Sequence, residues 1–267
     1  MTHPFRRNRF FRNALPEANI SELGNIRSLH LGTPTIQSSM NVDNPVELVL
    51  SYSRAMMSWL LFADELPQHI TQIGLGGGSF ARWLHHYLPD CRQTAVEINP
   101  QVIQIARASF CLDFEGDAFQ IIEADGAEYI QILRGNTDVV LVDGFDGVQI
   151  IDELVAEPFF HDCRIALSEK GIFAANWWSG DKRYPLFLQR LRTIFDNRVL
   201  EVPATTHGKV AVLAFCSEPE LNIEKLKKRA DKLGKRYGLD FFRMLMDAKG
   251  RNLHNQKQFL WRKGQGA

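Results

Sequence analysis

Residues 70–79 read ITQIGLGGGS, and FARWLHHY follows at once. An apolar run, a glycine-rich loop and a helical pattern succeed one another within twenty residues. That order is the opening unit of a parallel sheet that binds a ligand at its carboxyl edge. Outward from this unit the same alternation repeats, with further strands expected at 93–98, 119–124, 138–142, 171–177, 198–203 and 210–216. Helices are expected at 79–87, 100–110, 127–134, 151–167 and 184–195. A near-continuous Val/Ile/Leu run such as DVVLVD (138–143) marks a strand buried on both faces. The last two strands are separated only by 204–209, too short for a crossover, so they must form an antiparallel hairpin. The expected fold is therefore α/β: a Rossmann-like seven-stranded sheet of five parallel strands and an antiparallel terminal pair.

The flanks read differently. Residues 1–45 form an arm and a small β-rich segment, with extended stretches at 26–31 and 35–40 broken by Gly32 and Pro34. An amphipathic helix is expected over 46–62, leading into the sheet, and 46–217 is expected to form one domain. Residues 218–267 form a basic extension. Its 221–267 stretch holds 13 Lys and Arg against 4 Asp and Glu, a balance of +9, so the rest of this neutral 267-residue chain stands at −9. Apolar spacing at Leu221, Leu226, Leu233, Leu239, Phe242, Leu245 and Met246 reads as a solvated helix pair docked on the body, not as a nucleic-acid surface.

Composition excludes other classes. At 45% hydrophobic and 23% charged the chain is globular, and no stretch approaches ~18 uninterrupted apolar residues, which argues against a membrane span. The start, MTHPFRRNRFFRN, lacks the apolar region of a secretory signal. Cys91, Cys111, Cys163 and Cys216 form no CxxC pair, and His85–His86 has no metal-ligand spacing. Reduced thiols, a cytoplasmic location and no metal are expected.

Four consecutive strand ends carry chemistry. Gly74, Gly76, Gly77 and Gly78 allow backbone to approach a ligand closely, although Ser79 departs from the dinucleotide pattern. Glu97, 21 residues after Gly76, can accept hydrogen bonds from both ribose hydroxyls. Asp125, in EADGAEY, can accept from an exocyclic adenine amine; Asp143 and Asp146 follow the fourth strand in LVDGFD. Any one of these acids could be only a turn or helix-cap residue. Together they argue for an adenosine ligand attached to something positive, since a nicotinamide enzyme needs no acid at the third strand.

The stretches LHLGTPTIQSSM, IGLGGGS, VEINPQVIQIAR, EADGAEYI and DVVLVDGFD, within 28–216, resemble the spermidine synthase (polyamine aminopropyltransferase) family, a branch of the S-adenosylmethionine-dependent methyltransferase fold. The resemblance implies decarboxylated S-adenosylmethionine as co-substrate and a small-molecule amine as acceptor. It assigns the ribose to Glu97, the adenine to Asp125 and Gly126, and the sulfonium arm to Gln37 and the loop Gly74, Gly76, Gly77, Gly78, Ser79. Asp143 would act on the reacting amine, and Tyr52, Asp146, Trp177 and Trp178 would wall the acceptor, the tryptophans fitting a packing role equally well. The family also implies a homodimer. Three departures stand out: Ser79 stands where the family's loop has aspartate, DGFD runs into GVQIIDEL with no Pro-rich gate, and YSRAM lacks a substrate-facing glutamate. They keep open two alternatives, methyl transfer from ordinary S-adenosylmethionine and a nucleoside-binding homologue without catalysis.

Overall fold

The computed structural model describes residues 15–145, 150–206 and 208–252. A three-stranded antiparallel sheet comes first, made of β1 (Ala18–Leu23), β2 (Ile26–Leu31) and β3 (Ile36–Asn41). Of these, β1 was not expected from the sequence: ANISEL carries only two large apolar residues, Ile20 and Leu23, and lies on the surface. The expected helix at 46–62 is shorter. Only α1 (Ser51–Met56) is α-helical, and a 3-10 segment (Met57–Leu61) follows. Its first turn starts after extended Leu50, because Arg54 binds back to the Leu48 and Val49 carbonyls.

The central sheet is built from β4 (His69–Ile73), β5 (Arg92–Glu97), β6 (Phe119–Glu123), β7 (Thr137–Val142), β8 (Leu167–Trp178), β9 (Val199–Pro203) and β10 (Lys209–Phe215). Their order is β6-β5-β4-β7-β8-β10-β9. The pairs from β6 through β8 are parallel, and β10 runs antiparallel to both β8 and β9. This is the expected methyltransferase-type sheet. Alternation along each strand divides the core: Ile70, Val139, Leu141 and Leu213 face one side, and Ile73, Val140, Val142 and Val212 the other.

Helices cover both faces: α2 (Ser79–Tyr87), α3 (Pro100–Ser109), α4 (Gly126–Tyr129), α5 (Glu157–Ala166), α6 (Tyr184–Ile194), α7 (Ile223–Tyr237) and α8 (Phe241–Arg251). Two expected helices are broken. The 127–134 helix is reduced to α4 and one 3-10 turn (Ile130–Ile132), because Leu133 turns extended and buries its side chain. The 151–167 helix divides into a 3-10 segment (Asp152–Val155) and α5 at extended Ala156. Pro158 has no N–H and a fixed φ, which fits only the first turn of a new helix.

The C-terminal pair buries Leu226, Ala230 and Tyr237 of α7 with Phe241, Met244, Leu245 and Ala248 of α8 in the larger core cluster. Phe242 and Met246, expected on that apolar face, point outward instead, with Phe242 51% exposed. Helical spacing from Phe241 selects 244, 245 and 248, which leaves 242 and 246 on the solvent side.

Edge strand β9 is closed by side chains. Asn252 accepts from the Glu201 N–H through Oδ1 (3.1 Å) and donates to the Glu201 carbonyl through Nδ2 (2.8 Å), which stands in for a neighbouring strand. The buried Glu201 carboxylate accepts from the Tyr184 hydroxyl, Arg192 and Arg251 at 2.8, 3.3 and 3.0 Å. Substitution Asn252→Ala removes both edge bonds; urea unfolding is expected to show a loss of about 2 kcal/mol, with turnover at saturating substrate unchanged.

Candidate active site

The carboxyl ends of β4 to β7 meet on one edge, where the strand order switches direction between the parallel neighbours β4 and β7. Two backbone bonds draw the strand ends together: Gly74 N–H to the Val96 carbonyl (2.8 Å) and Asp143 N–H to the Ile73 carbonyl (2.9 Å). Gly74 has φ +94°, and a methyl at this position would overlap the Asp143 carbonyl oxygen, so only glycine permits the contact. Gly78, with φ +71°, then starts α2. Beneath the loop lies Arg82, buried, which sequence reasoning missed. Its guanidinium donates to the Gly77, Phe110 (2.7 Å) and Pro45 (2.7 Å) carbonyls and so holds the loop from below. Burial lowers its pKa to about 10, which leaves it charged at neutral pH.

Above the loop is a cavity of about 480 Å³. Gln37, Tyr52, Gly74, Gly76, Ser79, Glu97, Asp125, Gly126 and Asp143 all line it. Gly77 and Gly78 lie below, against Phe110 and Leu112. Glu97 Oε2 accepts from the Leu75 N–H at 3.0 Å and Oε1 from the Asn99 N–H at 2.9 Å. One backbone bond per oxygen fixes the carboxylate and leaves lone pairs for a pair of vicinal hydroxyls. Burial pushes its pKa up, and the backbone N–H groups partly oppose that. Asp125 caps α4 by accepting from the Ala127 N–H (2.8 Å), so the cap reading and the ligand reading fall on the same residue. Ser79 hydroxyl is engaged by Ser38 (3.2 Å) and the Ser39 carbonyl (3.3 Å).

A second cavity of about 990 Å³ lies beside the first, and Gln37, Tyr52, Asp143 and Phe145 line both. Asp143 is therefore at the junction. Burial raises its pKa; Asn176, Lys209 and Tyr52 pull the other way. Asn176 Nδ2 donates to Asp143 Oδ1 at 2.9 Å. The single Tyr52 hydroxyl proton has two acceptors in reach, the Gln37 carbonyl at 2.9 Å and the Asp143 carboxylate. Lys209 puts its ammonium 4.1 Å from the Phe145 ring centre and 5.8 Å from that of Tyr52. Asn176 and Lys209 were not foreseen; their only sequence signal is a polar residue inside an otherwise apolar strand.

The tryptophans divide. Trp177 touches the cavity wall but is 1% exposed, packed about 6 Å from the Phe160, Tyr184 and Phe187 rings, whereas Trp178 is 52% exposed and offers its face. Asp146 lies outside the described residues. Among the described residues no three His, Cys, Asp or Glu side chains converge as metal ligands, and no helix is long and apolar enough to cross a membrane.

The model of the spermine/spermidine synthase domain matches residues 49–195. The chain belongs to the spermine/spermidine synthase family. A polyamine aminopropyltransferase of Neisseria meningitidis serogroup A is 69% identical over 258 residues, 96% of this chain and 98% of the relative. One from Chromobacterium violaceum is 62% identical, over 90% and 92% of the two chains. A probable spermidine synthase from Corynebacterium glutamicum superposes with a TM-score of 0.72 at 16% identity, over 94% of each chain, a likeness of fold.

The geometry of Glu97 generates a pH prediction. Because its pKa is raised, protonation sets in on acidification above the ordinary carboxylate range, and a protonated oxygen loses its acceptor role. Calorimetric affinity for methylthioadenosine is expected to fall as pH drops from 7 toward 5; Glu97→Gln should bind at least about tenfold more weakly with no such pH dependence.

Proposed function

We propose that this chain moves an aminopropyl group from decarboxylated S-adenosylmethionine to a small-molecule amine. The observation that carries the reading is the position of Asp143, a buried carboxylate common to a nucleoside-sized cavity and a larger one. A sulfonium is already a good leaving group, so the donor supplies an electrophilic carbon without acid assistance. The obstacle is the acceptor, since an alkyl ammonium with pKa near ~10 has no free lone pair at neutral pH. Asp143 takes hydrogen bonds from the amine and accepts its proton. As it does so, Tyr52 turns its own proton wholly to the Gln37 carbonyl. The carbon–nitrogen bond forms, the carbon–sulfur electron pair stays on sulfur, and the proton passes from Asp143 to solvent. Holding both reactants on one carboxylate supplies the positional part of the acceleration.

Within this reading Glu97 and Asp125 with Gly126 hold the nucleoside, and Gln37 with the glycine loop faces the sulfonium arm. Tyr52, Asp146 and Trp177 belong to the acceptor wall, with Trp178 supplying the accessible ring. Catalysis resides in 46–217, with 218–267 as an extension whose helices α7 and α8 pack on the sheet, in an enzyme that works as a cytoplasmic homodimer. Support for the homodimer comes from the N-terminal sheet, which leaves Ile20, Leu23 and Ile36 exposed.

Mass spectrometry of two parallel reactions tests the reading, one with decarboxylated S-adenosylmethionine and one with S-adenosylmethionine, each with mixed di- and polyamines. Methylthioadenosine and an extended amine in the first alone are expected; S-adenosylhomocysteine in the second alone would make the chain a methyltransferase. Asp143→Asn should lower kcat by about 10²-fold or more while methylthioadenosine affinity stays within a few-fold. Unchanged kcat would remove Asp143 from the chemistry.

A further inference from the structure

The larger cavity has an unexpected wall for a site that receives cations. At about 990 Å³ it would hold a much longer chain than a short diamine, so its volume does not select among acceptors. Its charged lining is Asp143, Asp181, Lys182, Arg183 and Lys209, with the Tyr52 phenol between them. Arg183 is engaged elsewhere: it forks onto Asp181 through Nε (3.1 Å) and Nη2 (2.8 Å) and also reaches Asp152. Lys182 is exposed. Among the described residues, the field inside the cavity is therefore set mainly by Asp143 and Lys209.

Lys209 opens β10 opposite Trp178, and its ammonium lies against Phe145 and within reach of Tyr52, the two rings common to both cavities. That position is a cation seat: aromatic faces on two sides and a carboxylate nearby. A side chain of this protein already fills it.

We propose that Lys209 is the acceptor-selecting residue, a resident ammonium that takes this seat and so penalises each further positive centre an incoming amine carries. The inference rests on the aminopropyltransferase reading and deepens it by naming the favoured substrate class: amines with few cationic centres. Specificity of this kind comes from a repulsive element placed against the wrong ligand and not from a better fit to the right one. Like charges a few ångströms apart in a partly buried site are costly enough to do this where volume is not. The partly buried ammonium is itself less costly to hold because Asp143 faces it.

The test compares kcat/KM for butylamine, 1,4-diaminobutane and spermidine as acceptors in the wild type, Lys209→Met, Lys209→Gln and Lys209→Arg. Any change that Lys209 makes to Asp143 itself acts on all three amines and cancels in their ratios. Removal of the charge is expected to raise the spermidine-to-butylamine ratio about tenfold or more in both neutral variants, with 1,4-diaminobutane intermediate, while Lys209→Arg keeps the wild-type ratio. Unchanged ratios in the neutral variants of an active enzyme overturn the proposal. An equal loss for all three amines, with methylthioadenosine still bound, also overturns it and makes Lys209 part of the catalytic machinery. A wild type that produces no extended amine from decarboxylated S-adenosylmethionine refutes the aminopropyltransferase reading first, a result visible before any variant is made.

Discussion

The contact between Gly74 and the Asp143 carbonyl is the constraint on which the site depends. It brings the ends of two neighbouring parallel strands to van der Waals distance, and no side chain fits between them. Gly74 carries the loop that forms the floor of the smaller cavity. Asp143 and Phe145 line both this cavity and its larger neighbour. Because the two are locked together, a ligand on the glycine loop and a ligand in the second cavity meet at the same carboxylate. The buried Arg82 below the loop and the Ile73–Asp143 backbone bond hold this arrangement in place. Rigid sheet ends, not mobile side chains, then set the distance between reactants.

Electrostatics follow from that geometry. Asp143 and Glu97 are both buried and both have raised pKa values, but the compensations differ. Glu97 is held by backbone N–H groups, which do not move, and so suits a fixed task such as gripping hydroxyls. Asp143 is held by the Asn176 and Tyr52 side chains, whose hydrogen bonds can rearrange as a proton arrives and leaves, and by the charge of Lys209. A carboxylate poised upward in this way is a better proton acceptor than a free one, because its basicity lies closer to that of an alkyl amine.

Most of the fold was legible in the sequence, and the reasons are specific. Strand β7 is buried on both faces, so its apolar run is nearly unbroken, and the short 204–209 connection dictates the hairpin. β1 was not legible because it is an exposed, polar strand, and the 151–167 helix was overextended because apolar spacing continues across the break before Pro158. In the site, Gly74, Glu97, Asp125 and Asp143 were legible because each ends a strand at the same edge. Asn176 and Lys209 come from the neighbouring strands β8 and β10, distant in sequence, and no local pattern links them to Asp143. Trp177 and Trp178 differ only by strand parity; the register of β8 sends the first into the core and leaves the second for the cavity. Of the three departures from the family pattern, the one at YSRAM falls beside Lys209, since Tyr52 lines the larger cavity with it, whereas Ser79 lines the smaller one.

The most direct test of this account is the titration of the Asp143 carboxyl itself, followed by carbon-13 NMR and assigned by its loss in Asp143→Asn. The account predicts a pKa above the ordinary aspartate range in the free protein, and a downward shift when 1,4-diaminobutane is added with methylthioadenosine bound, since a cationic amine favours the ionised form. A carboxyl that titrates in the ordinary range and does not respond to the amine would contradict the claim that Asp143 joins the two cavities chemically.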